Sequence, residues 1–107
     1  MRFEIVLAPA AAQAYRALPA RKRAELRDAL ETHLRYEPRK ASKSRIKRLR
    51  GLRKPQFRLR VGELRVFYDV TNEAVEVLAI VAKAQAQRWL AERGTSQADG
   101  GSGEGEG

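Results

Sequence analysis

The chain has no cysteine and a single histidine, His33. Disulfides, thiol nucleophiles and thiolate metal sites are therefore excluded, and one imidazole is too few for a structural zinc site. No metal and no cofactor are expected. The opening stretch, MRFEIVLAPAAA, has no apolar run long enough for a signal peptide or a membrane span. No membrane partner is expected, and the cytoplasm is the expected location. Acid is scarce where base is dense: residues 39–65 hold twelve of the twenty-two Lys and Arg residues and one acid, Glu63. That stretch carries +11 and the remaining residues −2, which makes up the net charge of +9. Concentrated positive charge on an ordered surface attracts a polyanion, either nucleic acid or an acidic protein segment.

A length of 107 residues suits one domain with a single modest core. Phe3 to Leu7 reads as a short strand. Pro9 then starts a helix in which Ala11, Ala14, Tyr15 and Leu18 recur at helical spacing. Pro19 interrupts it and suits the first turn of a second helix running to about Tyr36, with Leu26, Ala29, Leu30, His33 and Leu34 as its inward stripe. Glu37-Pro38 closes that helix, because a residue before proline avoids the α region. So short a break between helices predicts an antiparallel helical hairpin.

Arg39 to Lys54 is a basic connector whose large apolar residues, Ile46, Leu49 and Leu52, are spaced i, i+3, i+6. That spacing predicts a turn or two of helix docked on the core, with mobile flanks around Ala41–Ser44. Next, QFRLRVGELRVFYDV reads as two alternating strands around Gly62-Glu63, and glycine first in a two-residue loop fits a type II′ turn. The turn sets the register: Val61 faces Leu64, Leu59 faces Val66 and Phe57 faces Tyr68 on the apolar side. Arg60 faces Arg65, and Arg58 faces Phe67, on the other. VEVLAIV (75–81) is apolar on both faces after Glu76 and reads as a central strand. Lys83 to Arg93 has a helical pattern, with Gly94 as its C-cap. The domain is expected over 1–93, and the Gly/Glu-rich residues 94–107 as a disordered tail. The fold class is α+β: an N-terminal strand, a helical hairpin, a three-strand antiparallel meander and a short C-terminal helix.

The opposed Arg60 and Arg65 are the sharpest functional signal. Like charges directly across a sheet destabilise it, and Arg58 lies on the same face. Three guanidinium groups on one pleated face form a cradle for phosphate, whose oxygens match the planar fork of arginine. His33 has no Ser, Cys or paired carboxylate at a spacing that would make it a catalytic base, and reads as a packed or surface residue. Trp89 reads as core or as the edge of a partner groove. Lys83 and Arg88 fit a solvated helix face.

Taken together, IKRLRGL, FRLRVGELRVFYDV and VEVLAIV after a strand and a helical hairpin resemble the RelE/ParE superfamily of type II toxin–antitoxin toxins. The resemblance spans about residues 1–93, and its specific part is the R-L-R-V-G-x-x-R-V-x-Y hairpin. It implies a twisted antiparallel sheet of about four strands with two helices on one face, and a cognate antitoxin protein as partner. In the RelE branch it implies a ribosome-dependent endoribonuclease (an mRNA interferase) that inhibits translation. There the 2′-hydroxyl of mRNA attacks the adjacent phosphate without metal. In the ParE branch it implies DNA gyrase as target. By position, Arg65, Arg58 and Lys83 become the catalytic candidates, and Arg60, Lys54, Arg53 and Arg88 the substrate-binding ones. Some members carry a lysine base where Arg58 stands; arginine keeps its proton and would hold charge instead. Some also carry a tyrosine in the C-terminal segment, which here reads KAQAQRWL. That departure motivates the alternative of a toxin relative acting by protein binding alone.

Overall fold

Prolines and glycines punctuate the chain, and the strands and helices fall between them. A computed structural model describes residues 1–96. Its elements are β1 (Glu4–Leu7), α1 (Pro9–Ala17), α2 (Ala20–Leu34), β2 (Ile46–Arg48), β3 (Leu52–Lys54), β4 (Phe57–Val61), β5 (Leu64–Val70), β6 (Ala74–Ala82), a 3-10 turn (Lys83–Gln85), α3 (Ala86–Arg93) and β7 (Thr95–Ser96). Five strands form one sheet in the order β1-β6-β5-β4-β2, and β3 and β7 form a separate two-stranded ribbon.

Pro19 makes the break between the helices. Leu18 before it is extended, at φ −73° and ψ 150°, as a pre-proline residue prefers. The Arg23 guanidinium donates to the Leu18 carbonyl and closes the junction. Leu26, Leu30 and Leu34 recur along one side of α2 and are buried, each worth about 1.5–3 kcal/mol of burial. The helix ends at Leu34, two residues short of Tyr36, because Arg35 turns to hold β1. Its Nη1 donates to the Phe3 carbonyl at 2.9 Å, and its own carbonyl accepts from Phe3 N–H at 2.7 Å. Its Nε donates to Glu31 at 2.9 Å. That guanidinium holds the Glu31 carboxyl below its ordinary range.

The sheet lays one face on the helical hairpin, and the α2 leucines form one core with Phe57, Leu59, Val61, Val66 and Tyr68. β4 and β5 pair in the register the turn predicts: Val61 with Leu64, Arg60 with Arg65, Leu59 with Val66, Arg58 with Phe67 and Phe57 with Tyr68. Gly62 has φ +58°, and no non-glycine residue among those described has a positive φ, which is the type II′ pattern. β6 lies between β5 and β1, as a strand apolar on both faces should. β1 runs parallel to it, so the sheet is mixed and has five strands, where the family resemblance implied about four, all antiparallel.

The connector differs from expectation. It contains no helix; it supplies β2 and β3. Ile46 pairs with Leu59, Lys47 with Arg58 and Arg48 with Phe57. A helix here would stack like charges at i, i+3 and i+4, each pair unfavourable, and would be too short to form unaided. An edge strand buries Ile46 and leaves the cations in water. The Ala41–Ser44 flank is also tied: Ser42 Oγ accepts from the N–H groups of Arg45 and Ile46, both at 3.0 Å. At the other end, Thr95–Ser96 pair with β3. The expected disordered tail lies, from residue 97 onward, outside the described residues. Among those described, no helix is long and apolar enough to cross a membrane.

Tyr68 joins the sheet to the loop after α2. Its ring stacks on Phe57 at 5.4 Å, and its buried hydroxyl donates to the Pro38 carbonyl at 2.7 Å. Tyr68→Phe leaves that carbonyl unpaired beside Pro38, itself buried. The expected loss is about 1–2 kcal/mol, read as a lower urea midpoint at unchanged m-value.

Candidate functional site

Two cross-strand rows build the face of the sheet turned away from the α1–α2 hairpin. Lys47, Arg58, Phe67 and Ala79 form one, and Arg60, Arg65 and Val81 the next. Alternation along β4 and β5 buries Leu59 and Val66 on the helix side and sends the arginines to this one. The three guanidinium groups are held differently. Arg60 is exposed. Arg65 is only 8 % exposed, and its Nη1 donates to the carbonyls of Gly62 and Leu64, both at 2.9 Å. Arg65 thus braces the turn that sets the register. Arg58 is half-buried; its Nη2 reaches the Ser44 carbonyl at 3.4 Å, while its buried Nε has no hydrogen-bond partner. Burial, and then the charges of Arg65 and Arg60, lower the affinity of Arg58 for its proton. Among the described residues, none of the three is in an ion pair; the cations so engaged are Lys22, Arg35, Lys40, Lys54 and Arg88. An anion entering this face meets positive charge that no carboxylate has neutralised.

The other candidates stand apart from that face to different degrees. Lys83 is exposed where β6 ends, and its backbone N–H donates to the Glu63 carbonyl at 2.7 Å, which holds it beside the hairpin turn. Arg53 and Lys54 lie on the β3–β7 ribbon. Lys54 faces Asp69 at 3.8 Å, and the same carboxylate accepts from Gln56 N–H at 2.8 Å. Burial nevertheless raises the Asp69 pKa. Arg88 lies on α3 and pairs with Glu92 at 3.5 Å. No group of three or more His, Cys, Asp or Glu side chains among the described residues could hold a metal ion.

Three features escaped the sequence reading. Lys47 stands opposite Arg58; the alternation buried–exposed in Ile46-Lys47 was its signal, masked by the helical spacing. Trp89 stacks on Phe67 with ring centroids 4.8 Å apart and planes 3° from parallel, so α3 covers part of the face and Phe67 has no exposure. His33 lines a cleft with Tyr36, Lys40, Ser42 and Arg45. Burial, followed by the Arg45 charge, lowers its pKa.

No family model matches the sequence, and no curated protein matches it either. Among solved structures, the archaeal RelE–RelB complex from Pyrococcus horikoshii OT3 contains a similar chain: 21 % identical, with a TM-score of 0.51, covering 79 % of this chain and 99 % of that one. At that identity the likeness establishes the fold, which is RelE-like.

Two outcomes follow from the packing. No residue of α3 is fully buried, so the Trp89–Phe67 stack is its main anchor. Trp89→Ala should cost about 2 kcal/mol, below the range for a fully buried tryptophan, and lower the Tm by roughly 10 °C. A calorimetric Tm within a degree of the parent's would contradict that anchoring. For His33, a folded-state pKa below the unfolded one means that the unfolded chain binds the extra proton. Its contribution to stability is present above the unfolded pKa of about 6.5 and is lost as pH falls through the folded value. Urea midpoints taken downward from about pH 7.5 should fall more steeply for the parent than for His33→Gln.

Proposed function

We propose that this chain is the toxin of a type II toxin–antitoxin pair and that its target is RNA. Arg58, Arg60 and Arg65 hold a phosphodiester on the face of β4 and β5 turned away from the helical hairpin, and Lys83 assists from the end of β6. The substrate is messenger RNA on the ribosome, cut by a route that needs no metal ion. The 2′-oxygen attacks the adjacent phosphorus and the bond from phosphorus to the 5′-oxygen breaks, leaving a 2′,3′-cyclic phosphate and a 5′-hydroxyl. The 2′-hydroxyl proton passes to solvent, and the departing oxygen takes a proton from the Lys83 ammonium, which regains one from water. The arginines keep their protons throughout and act on the extra negative charge of the five-coordinate phosphorus.

The carrying observation is three guanidinium groups on one face with no carboxylate partner among the described residues. The likeness to a RelE structure solved with RelB supports the toxin assignment and a protein partner. That partner is a cognate antitoxin whose acidic or amphipathic segment covers the basic surface.

Arg65 favours a second reading. Its guanidinium is committed to the turn carbonyls; on the same face Asp69 is committed to Lys54 and Gln56, with Glu76 opposite it. With no carboxylate paired to the three arginines to take a proton, the face suits a toxin that acts by binding alone, with DNA gyrase as target.

Induced expression should arrest growth, and primer extension on translated messages should map cuts inside codons. Arg60→Ala, at an exposed position that leaves the fold intact, and Arg58→Ala should each slow cleavage by about a hundredfold. Arrest without cuts, accompanied by loss of gyrase supercoiling activity in vitro, would transfer the assignment to the second reading. Full cleavage by both variants would remove the arginine face from the mechanism.

A further inference from the structure

The cleft beside the end of α2 has a volume of about 450 Å³ and belongs to none of the chemistry above. Its wall carries an exposed aromatic ring, Tyr36, at 60 % exposure. Around it stand the half-buried His33 imidazole, the Arg45 side chain and Ser42. The one acid in the cleft, Glu37, faces Lys40 at 3.6 Å. The connector that lines the cleft is also hydrogen-bonded to the arginine-bearing strand β4. The Arg45 carbonyl accepts from the Arg60 N–H at 2.9 Å, and the Ser44 carbonyl accepts from Arg58 Nη2. Ser44 and Arg45 thus tie the connector beside the cleft to the strand that carries Arg58 and Arg60.

We infer that this cleft is a nucleobase subsite: a base flanking the phosphodiester held by Arg58 and Arg60 leaves the strand there, stacks on Tyr36 and meets His33 and Arg45 along its edge. The inference rests on the proposed RNA target and extends it to single-stranded RNA, since a stacked base in a duplex has no free face. Each element has a reason. An exposed ring presents a flat apolar surface to any base, worth about 1–3 kcal/mol per base. A neutral imidazole offers one donor and one acceptor, and the environment of His33 favours its neutral form. Arg45 adds a planar donor fork that pairs with base oxygens or with the next phosphate. Tyr36 has no packing role that would account for its exposure, which is among the largest of the apolar side chains described. An acidic peptide would use the same cations without needing a flat stacking surface, so the aromatic wall favours RNA.

The test is fluorescence anisotropy with a labelled single-stranded RNA of about ten nucleotides carrying a 2′-deoxy block against cleavage, with salt titrations. Tyr36→Ala should weaken binding about tenfold, and Tyr36→Phe should restore it. The salt slope should be unchanged in both, because the ring neutralises no phosphate. Arg60→Ala should instead reduce the slope by about one. An abasic oligonucleotide should bind the parent and Tyr36→Ala equally. Parent-like affinity of Tyr36→Ala, with the slope change still seen in Arg60→Ala, would overturn the subsite and leave the arginine face standing. No RNA binding by the parent would overturn both readings. Competition by an acidic peptide that is lost in Tyr36→Ala, with no ring dependence for RNA, would assign the cleft to a protein partner.

Discussion

Arg60 and Arg65 stand opposite each other across two strands, and no carboxylate of the described residues relieves their repulsion. Such a pair costs stability in any sheet. It persists because the register is over-determined. Gly62 alone takes the positive φ of the turn, and a slip of one residue would carry Leu59, Val66 and Tyr68 out of the core. Arg65 is partly accommodated by the Gly62 and Leu64 carbonyls. Those neutral acceptors stabilise the guanidinium without cancelling its charge. The sheet therefore presents a field that an external anion completes.

The rest of the molecule serves that arrangement by covering everything else. The α1–α2 hairpin takes the apolar face, with the α2 leucines against β4 and β5. Trp89 takes Phe67, an aromatic ring on the charged face. Several cations elsewhere have partners within the chain: Arg35 has Glu31 and the Phe3 carbonyl, Lys54 has Asp69, and Arg88 has Glu92. Arg48 lies over the Phe57 ring at 5.3 Å and Arg39 over Phe3 at 5.7 Å, where packing of the side chain matters as much as its charge. Arg58, Arg60 and Lys47 stand together on one sheet face with no ion-pair partner among the described residues.

What the sequence disclosed follows from the range of the forces involved. The hairpin was legible because a two-residue turn and strict alternation are local, and together they set every pair from Phe57–Tyr68 to Val61–Leu64. The helical hairpin was legible for the same reason, through Pro9, Pro19 and the leucine stripe. The connector was not. Three apolar residues spaced three apart fit a helix as well as an irregular path through two short strands, and what decides is a distant partner, Leu59, for Ile46. The stack of Trp89 on Phe67 likewise joins segments far apart in sequence, whereas Arg65 folds back onto its own turn and Arg45 meets His33 and Tyr36 from the adjoining connector, through side-chain directions that residue spacing does not set. No local pattern carries them.

The most direct test of the central claim is an NMR titration of the arginine Nε–Hε resonances with a 2′-deoxy dinucleotide, the smallest ligand with one phosphodiester. Saturable shifts should be confined to Arg58, Arg60 and Arg65, with the remaining arginines nearly still. Shifts spread evenly over the connector arginines, or strongest at Arg48, Arg50 and Arg53 while Arg58 and Arg60 stay unmoved, would contradict it.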